Sequence, residues 1–360
     1  MNRSPLPPRA AFPDRLADTM LWLAASLHVL VAASLLFVLL SLSPANAAEP
    51  VACAGKNLLP ELQANDPAAY AKLVGEAKAS PNGEGIFWKV EKAGTPPSYL
   101  LGTMHVTDPR VIAMPEAAQA AYAEARTVVV ESDEIADAKK ASATILARPD
   151  LTMFTDGRTI TGLLDEKDAA VLADGLKARG LSLAAMARMK PWMIMSFVAI
   201  PSCEMARKQA GIAFLDQKLA QDAIEDGKTL KGLETMVEQI TALDSLPLEP
   251  QLAGLLQVVQ LGDGIEDVIE TMSQLYLSGQ TGMIMPLMRM PPPGIEGDDS
   301  GYADFEQRII IDRNHRMAER AAPILADGNV FIAVGALHLP GPDGLIELLR
   351  KNGHTVTAVN

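Results

Sequence analysis

Residues 99–105 have the sequence YLLGTMH, and residues 331–338 have the sequence FIAVGALH. Each stretch is an apolar run that ends in Gly-x-x-His, followed by a Pro/Asp turn, a predicted helix and a second strand. That second strand is TVVV at 127–130 in the first unit and TVTAV at 355–359 in the second. This repeated strand–GxxH–helix–strand plan predicts one sheet assembled from the N- and C-terminal parts of the chain.

The residues around these units complete the predicted fold. Residues 85–90 and 98–101 flank the turn AGTPP and predict a β-hairpin. Hydrophobic spacing predicts a helix over residues 57–80. Residues 132–326 are mostly helical in their hydrophobic spacing, including a helix over 211–226, with a short strand candidate at 229–230. Because no linker-like segment divides the chain, we predict a single α/β domain, with an α+β mixed sheet and a large helical insertion.

The N-terminal segment is typical of export. Arg3, Arg9 and Arg15 precede an apolar run at 20–42, and Ala-Asn-Ala at 45–47 fits the small-x-small cleavage pattern. The run is also long enough to span a bilayer, so an uncleaved membrane anchor is the alternative to a signal peptide. We favour cleavage because a cleavage site stands where one is expected. Residues 48–360 are then the folded domain, either periplasmic or tethered to the membrane by residues 1–47.

Composition limits the partners and the redox environment. The chain has 31 Lys and Arg against 44 Asp and Glu, a formal net charge of −13. Such a surface repels nucleic acid, so we expect no nucleic-acid partner and contact with a membrane only through the N-terminal segment. The chain has two cysteines, Cys53 and Cys203, and an oxidising compartment predicts that they form a disulfide. Two unpaired thiols are the alternative.

The Gly-x-x-His motifs are the candidate site. Ligands of α/β sheets collect at the carboxyl ends of strands, and Gly102 and Gly335 let the backbone turn sharply or be approached closely there. His105 and His338 would then face one cleft, joined by Glu131 if its strand is parallel to the first. Two imidazoles and a carboxylate predict a metal ion with open positions, with Glu131 as third ligand or general base.

Other interpretations of the histidines remain. A short Gly-x-x-His motif can also place a histidine that merely caps an element or fills space. His315 is predicted on a solvated helix face, and His354, before the last strand, is predicted at the surface. The sequence contains no HExxH, GxSxG, Walker A or CxxC motif, which excludes the usual hydrolase, kinase and redox signatures.

The chain resembles the TraB/PrgY/GumN family, whose animal relatives are the Tiki proteins, and the match is closest to the bacterial GumN-like branch. The resemblance covers nearly all residues after 47. It is carried by these segments: CAGK at 53–56, GIFW at 85–88, SYLLGTMHVTD at 98–108, Glu131, Asp216, GLET at 232–235 with EQ at 238–239, DRN at 312–314 and VGALHL at 334–339.

This resemblance implies roles for individual residues. Tiki proteins look like metal-dependent proteases that use Mn²⁺ or Co²⁺, so it implies a divalent metal, Mn or Co rather than Zn, held by His105, His338 and Glu131. It implies that Arg313 binds substrate or stabilises an oxyanion, with Asn314 beside it and Asp216 in support. The residues alone allow plainer roles: an exposed Arg313, a structural acceptor at Asp216, and capping or surface groups at Glu234 and Gln239.

Two functions follow. The first is an exported metal-dependent hydrolase, peptidase-like, that acts on a peptide or protein substrate. The alternative is a non-catalytic periplasmic protein whose cleft sequesters a peptide or assists polysaccharide export.

Overall fold

The computed structural model describes residues 52–290 and 301–359. The predicted signal peptide or membrane anchor, residues 1–47, lies outside these residues, so its role stays a prediction. Within the described part, no helix combines the length and the hydropathy needed to cross a membrane. The described residues belong to one compact unit.

The strands of the described residues form one six-stranded sheet in the order β4-β3-β5-β2-β1-β6. β1 is antiparallel to its neighbours β2 and β6, whereas the pairs β2–β5, β5–β3 and β3–β4 are parallel. The predicted mixed sheet and hairpin are therefore confirmed. The strand bounds are β1 Phe87–Glu91, β2 Ser98–Thr103, β3 Thr127–Val130, β4 Thr229–Gly232, β5 Val330–Gly335 and β6 Thr355–Ala358.

The helices cover both faces of the sheet and build a further helical layer from the middle of the chain. Their bounds are α1 Leu59–Asn65, α2 Pro67–Ala79, α3 Pro109–Ile112, α4 Glu116–Glu124, α5 Ala138–Leu146, α6 Pro149–Thr152, α7 Glu166–Ala178, α8 Leu183–Met186, α9 Pro191–Val198, α10 Ser202–Gln209, α11 Leu215–Glu225, α12 Met236–Asp244, α13 Leu248–Leu261, α14 Ile265–Leu277, α15 Ile284–Arg289, α16 Tyr302–Phe305, α17 Asp312–Leu325 and α18 Leu345–Lys351. A π-helical turn, Glu306–Ile311, joins α16 to α17.

The central strands are buried on both faces, which explains their unbroken apolar sequences. Successive side chains of a strand point to opposite faces, so β3 contributes to two cores. Val129 packs with Ile332 against α17 and α18, whereas Val128 and Val130 pack with Phe331 against α4 and α11. Burying each such side chain contributes roughly 1.5–3 kcal/mol, so these two layers hold the strand ends in place.

Three details differ from the sequence predictions. The helix predicted over 57–80 is interrupted at Asp66, whose side chain accepts a hydrogen bond from the Ala69 amide and caps α2. The helix predicted from residue 211 begins only at Leu215, because Gly211 has a φ of +84°. His354 is buried rather than at the surface, and its Nδ1 lies 3.2 Å from the Leu349 carbonyl oxygen, which accepts its hydrogen bond.

The predicted disulfide is present between Cys53 and Cys203. It joins the segment before α1 to helix α10. The residues after Cys53 are bound to α14: the amides of Ala54 and Lys56 donate to Glu266 and Asp267 at 2.9 and 2.8 Å. The start of the folded chain is thereby fastened to two helices far away in sequence.

We expect replacement of both cysteines by serine to lower the free energy of unfolding by roughly 2–5 kcal/mol, because the bond closes a long loop in the unfolded chain. The sequence separation of the two cysteines is 150. Urea unfolding of the variant and of the reduced wild type checks this. Equal stability with and without the bond would contradict it.

Candidate active site

The candidate residues lie at one edge of the sheet. Because β3 and β2 are both parallel to β5, their carboxyl ends meet, and the register pairs Thr103 with Gly335. His105, Glu131 and His338 follow these three strand ends. All three line the same cavity, which has a volume of about 320 Å³. The structure therefore brings together the three residues that the sequence proposes as ligands.

Asn314 fixes the orientation and the tautomer of His338. The Asn314 Nδ2 donates to the Asp343 carbonyl oxygen at 2.9 Å, so its Oδ1 points at the imidazole. That Oδ1 lies 2.6 Å from His338 Nδ1, which must therefore carry the hydrogen and donate it. In the neutral ring the Nε2 atom then presents a lone pair to the cavity. Asn314 thus binds the Nδ1 side of the ring and does not itself line the cavity.

Glu131 is held by donors on both oxygens. Its Oε1 accepts from the Gly335 amide at 2.8 Å, and its Oε2 accepts from Arg313 Nη2 at 2.7 Å and from Gln239 Nε2 at 3.1 Å. Burial opposes ionisation, but His338, which is protonated in the acidic range where Glu131 titrates, and Arg313 outweigh it and lower the pKa of Glu131 to about 2. The carboxylate is therefore charged at neutral pH.

The contact between His338 and Glu131 places two acceptors face to face. Burial lowers the pKa of His338 to about 4, against the opposing effect of Glu131, so the ring is neutral at pH 7. Its Nε2 lies 3.6 Å from Glu131 Oε1, beyond hydrogen-bond length. A lone pair that faces a carboxylate oxygen across this gap is unfavourable by itself and leaves a place for a cation.

Gly102 and Gly335 permit close approach, as the sequence suggested. A Cβ on Gly335 would lie 3.2 Å from Glu131 Oε1, and one on Gly102 would lie 2.7 Å from a methyl group of Leu339. The absence of a side chain at Gly335 lets its own backbone amide reach the Glu131 carboxylate. The absence of a side chain at Gly102 lets the turn after β5 pack onto the end of β2.

His105 forms a second imidazole–carboxylate pair. Its side chain faces the open cavity and is 56% exposed, with Nε2 3.6 Å from Asp216 Oδ1. Thr103 Oγ1 donates to the same Asp216 oxygen at 2.7 Å, and the Phe214 ring packs against the imidazole. The protein around the ring disfavours its protonated form, but the charges of Asp216 and Glu131 outweigh this and raise the pKa of His105 to about 9.

Arg313 is buried between two carboxylates, not exposed on its helix. Its Nη2 contacts Glu131 Oε2 and Glu234 Oε2, each at 2.7 Å, and its Nε donates to Glu234 at 2.8 Å. Glu234 also binds Arg316 through its other oxygen at 2.8 Å. Glu234 is thus a buried ion-pair residue and not a capping group, and the capping box is formed by Thr235 with Glu238.

Glu234 and Gln239 belong to the hydrogen-bond network around Glu131 and Arg313, and this was not predicted from the sequence. The sequence did contain a pattern that could have pointed to Glu234. Glu234 follows β4 as Glu131 follows β3, and the register pairs Gly232 with Val130. The Glu234 amide donates to the Glu131 carbonyl oxygen at 2.7 Å. An acidic residue just after each of two adjacent parallel strands was therefore the signal.

The donor atoms fit a metal ion in chemistry and in pairwise spacing. Two ligand atoms at about 2.0–2.2 Å from one ion lie roughly 3–3.6 Å apart, which matches both imidazole–carboxylate separations. Asp216 adds a buried Oδ2 without a hydrogen-bond partner among the described residues. Across residues 52–290 and 301–359, however, no group of three or more His, Cys, Asp or Glu side chains is arranged to hold an ion. The ligands form two pairs, so an ion shared by both pairs requires side-chain movement.

The remainder of the cavity lining is mostly apolar. It is supplied by α14, α15, the π-helical turn and the residues after β2 and β5. The residues that line the cavity are Thr103, Met104, His105, Val106, Glu131, Ile269, Met272, Tyr276, Ile284, Phe305, Ile309, Ile310, Arg313, Gly335, Ala336, Leu337 and His338.

The chain has recognisable relatives among known protein families. The profile of the TraB/PrgY/gumN family matches residues 86–358, most of the chain. The chain belongs to this family. No solved structure matches it.

Curated relatives of this TraB/PrgY/gumN protein carry the name Metalloprotease TIKI. TIKI2 of Xenopus tropicalis is 25% identical over 317 residues, covering 75% of this chain and 59% of the relative. TIKI1 of Homo sapiens is 24% identical over 317 residues, covering 75% and 61%. The TIKI homolog of Nematostella vectensis is 24% identical over 323 residues, covering 77% and 68%. The chain thus spans about three fifths of the length of the vertebrate relatives.

We expect Asp216→Asn to lower the pKa of His105 from about 9 towards the ordinary value of 6.5 in chelator-treated protein, because Asp216 is the largest charge that favours protonation. A raised folded-state pKa contributes stability below pH 6.5 that is lost as the pH rises through 9. NMR titration of the imidazole, with unfolding at pH 6 and pH 9.5, checks both. A pKa unchanged by Asp216→Asn would contradict the assignment.

Replacing Arg313 should destabilise the fold. We expect Arg313→Met to cost roughly 3–5 kcal/mol, because it leaves the carboxylates of Glu131 and Glu234 buried without their shared partner. Adding Glu234→Gln should recover part of that loss. Urea unfolding of the single and double variants measures both values, and a cost below about 1 kcal/mol would rule out a buried ion network.

Proposed function

We propose that this member of the TraB/PrgY/gumN family is a metal-dependent hydrolase that cleaves peptide bonds. The observation that carries the proposal is the pairing of a neutral His338 Nε2 with the ionised Glu131 at 3.6 Å, a gap that suits a cation. The metalloprotease names of the TIKI relatives support the reaction class. We propose His105, His338 and Glu131 as ligands, with Asp216 behind His105.

A bound divalent ion would supply Lewis acidity and a nucleophile near neutral pH. The choice of Mn²⁺ or Co²⁺ over Zn²⁺ rests on the family resemblance alone, since imidazole and carboxylate donors suit all three. The exposed His105 is the side chain with most freedom to complete the site, and the ion would displace the proton that its raised pKa keeps on the ring. His338 is fixed by Asn314, and Glu131 by Gly335 and Arg313.

The hydrogen bonds of Glu131 favour a role as ligand over one as general base. A base works best when its pKa lies near the working pH, whereas His338, Arg313 and the Gly335 amide hold the pKa of this carboxylate at about 2. Proton transfer through Glu131 would first require loss of a donor. Gln239, at 3.1 Å the longest of the three contacts, is the donor most easily lost.

Arg313 chiefly orients Glu131, and one of its groups remains available to a substrate. Its Nε and Nη2 are engaged by the two carboxylates, whereas Nη1 makes only a long 3.4 Å contact to the Ile309 carbonyl oxygen among the described residues. We propose that Nη1 donates to the developing oxyanion of the attacked peptide carbonyl.

The test measures metal content and turnover of the full chain. Protein purified without chelator is analysed by elemental mass spectrometry, then loaded with Mn²⁺, Co²⁺ or Zn²⁺ and assayed on peptide libraries. We expect bound metal and cleavage in the wild type and loss of both in His338→Ala and in Glu131→Gln. Asn314→Ala should lower metal affinity by about 10–100-fold, because it frees the His338 ring.

His315→Ala provides the matched control, because His315 lies on the same helix as Asn314 and is 55% exposed. It should keep the metal and the turnover of the wild type. Absence of metal uptake, or uptake unchanged in the His105→Ala, His338→Ala double variant, would refute the proposal.

A non-catalytic binding protein is the second candidate. It is favoured by the absence, in the described part of the chain, of a preassembled group of three metal-binding side chains. Such a protein would hold a peptide, or assist polysaccharide export, without turnover. Protein that binds peptide tightly, contains no metal and cleaves nothing would identify this role.

We further propose that the protein is exported and works in an oxidising compartment. The Cys53–Cys203 disulfide supports this, because such bonds persist outside the reducing cytosol. Fractionation of cells followed by intact-mass measurement would reveal both the compartment and whether the chain is cut after Ala47. Recovery of uncut, reduced protein in the cytosol would reject export.

A further inference from the structure

The side chains that line the cavity are of two chemical kinds, charged and apolar. The charged groups that line it in the described chain are His105, Glu131, Arg313 and His338, and all belong to the networks at the strand ends. Each is already matched with an oppositely charged or hydrogen-bonding side chain. The rest of the lining is mostly apolar and includes Ile269 on α14 and Ile284 on α15. No further charged side chain of the described residues lines the cavity, so a second charged group of a ligand would find no partner there.

The π-helical turn and the residue just before it add three large apolar side chains to this lining. In a regular α-helix, residues 305 and 310 would point about 140° apart, because each residue turns the chain by about 100°. A π turn closes between residues five apart and so returns Ile310 to the face of Phe305. Phe305, Ile309 and Ile310 all line the cavity as a result. We name these three residues the apolar shelf.

We infer that the apolar shelf binds the side chain of the substrate residue next to the cleaved bond, and that this side chain is apolar and of leucine to phenylalanine size. This inference rests on the proposed function, because it concerns a peptide held in the same cavity. A charged side chain on the shelf would lose its water without gaining a partner. Burial of an apolar side chain on the shelf is favourable, and with the side chain there the neighbouring peptide group lies at the strand ends.

Blocked octapeptides of glycine and serine with one variable residue test the inference, because that residue is the only large side chain present. Ala, Leu, Phe, Asp and Lys are compared with metal-loaded full-length protein. Cleavage positions and kcat/KM are determined by mass spectrometry, and binding is measured separately by calorimetry. We expect cuts beside Leu and Phe, with Leu preferred over Ala by roughly tenfold or more and over Asp or Lys by more still.

Variants assign the preference to the shelf. Ile310→Asn should reduce the Leu/Ala ratio by roughly tenfold, and Phe305→Ala should shift the preference from Leu towards a larger naphthylalanine side chain. Ile224→Asn is the matched control, because this isoleucine is 59% exposed and does not line the cavity. Its ratio should equal that of the wild type. The melting temperature of each variant distinguishes a change in the shelf from unfolding of the protein. If Ile310→Asn fails to fold, Phe305→Ala still tests the inference.

The outcomes separate this inference from the proposed function. Cleavage without preference, or with preference for Asp or Lys, overturns the inference and leaves the hydrolase standing. Preferred binding of Leu and Phe peptides without cleavage supports the shelf and removes the hydrolase. Neither binding nor cleavage of any peptide overturns both.

Discussion

The arrangement of the candidate site depends on Arg313, which lies buried between Glu131 and Glu234. These carboxylates follow adjacent parallel strands and would repel one another in a poorly hydrated interior. The guanidinium holds both, and its planar, permanently charged group is suited to bind two carboxylates at once. Its shared contact keeps the Glu131 carboxylate ionised and aimed at His338. The strand ends therefore tolerate acidic side chains because a helix from the far end of the sequence supplies the compensating charge.

His105 and His338 lie in different surroundings, although each is the last residue of a Gly-x-x-His motif. His338 is enclosed and fixed by Asn314, and its environment keeps it neutral. His105 is open to the cavity and paired with Asp216, and its environment favours the positive form. One side chain is thus rigid and the other adaptable. This asymmetry is what a site needs if it must hold a ligand and still exchange it with solvent.

The sheet and the positions of its main site residues follow from local sequence patterns. Short apolar runs locate β1, β2, β3 and β5 to within a few residues, and Gly102 and Gly335 mark the strand ends. The pairing of Glu234 with Arg313 could not be predicted in this way, because it depends on which helix packs across which strands. The π-helical turn is equally absent from the local pattern, because the spacing of Phe305 and Ile309 also fits an ordinary amphipathic helix. His354 was misplaced because its burial depends on packing contacts that the local pattern does not reveal.

The strand order has a consequence for how the protein is made. β5 lies between β2 and β3, and β6 lies beside β1, so β1, β2 and β3 each lack one neighbour until residues 330–358 have been synthesised. Contacts of such large sequence separation form late and slowly. The sheet consequently stays divided into the pairs β1–β2 and β3–β4 until β5 can insert between them. For the export that we propose, such a delay would leave the sheet open while the chain is threaded through a translocation channel.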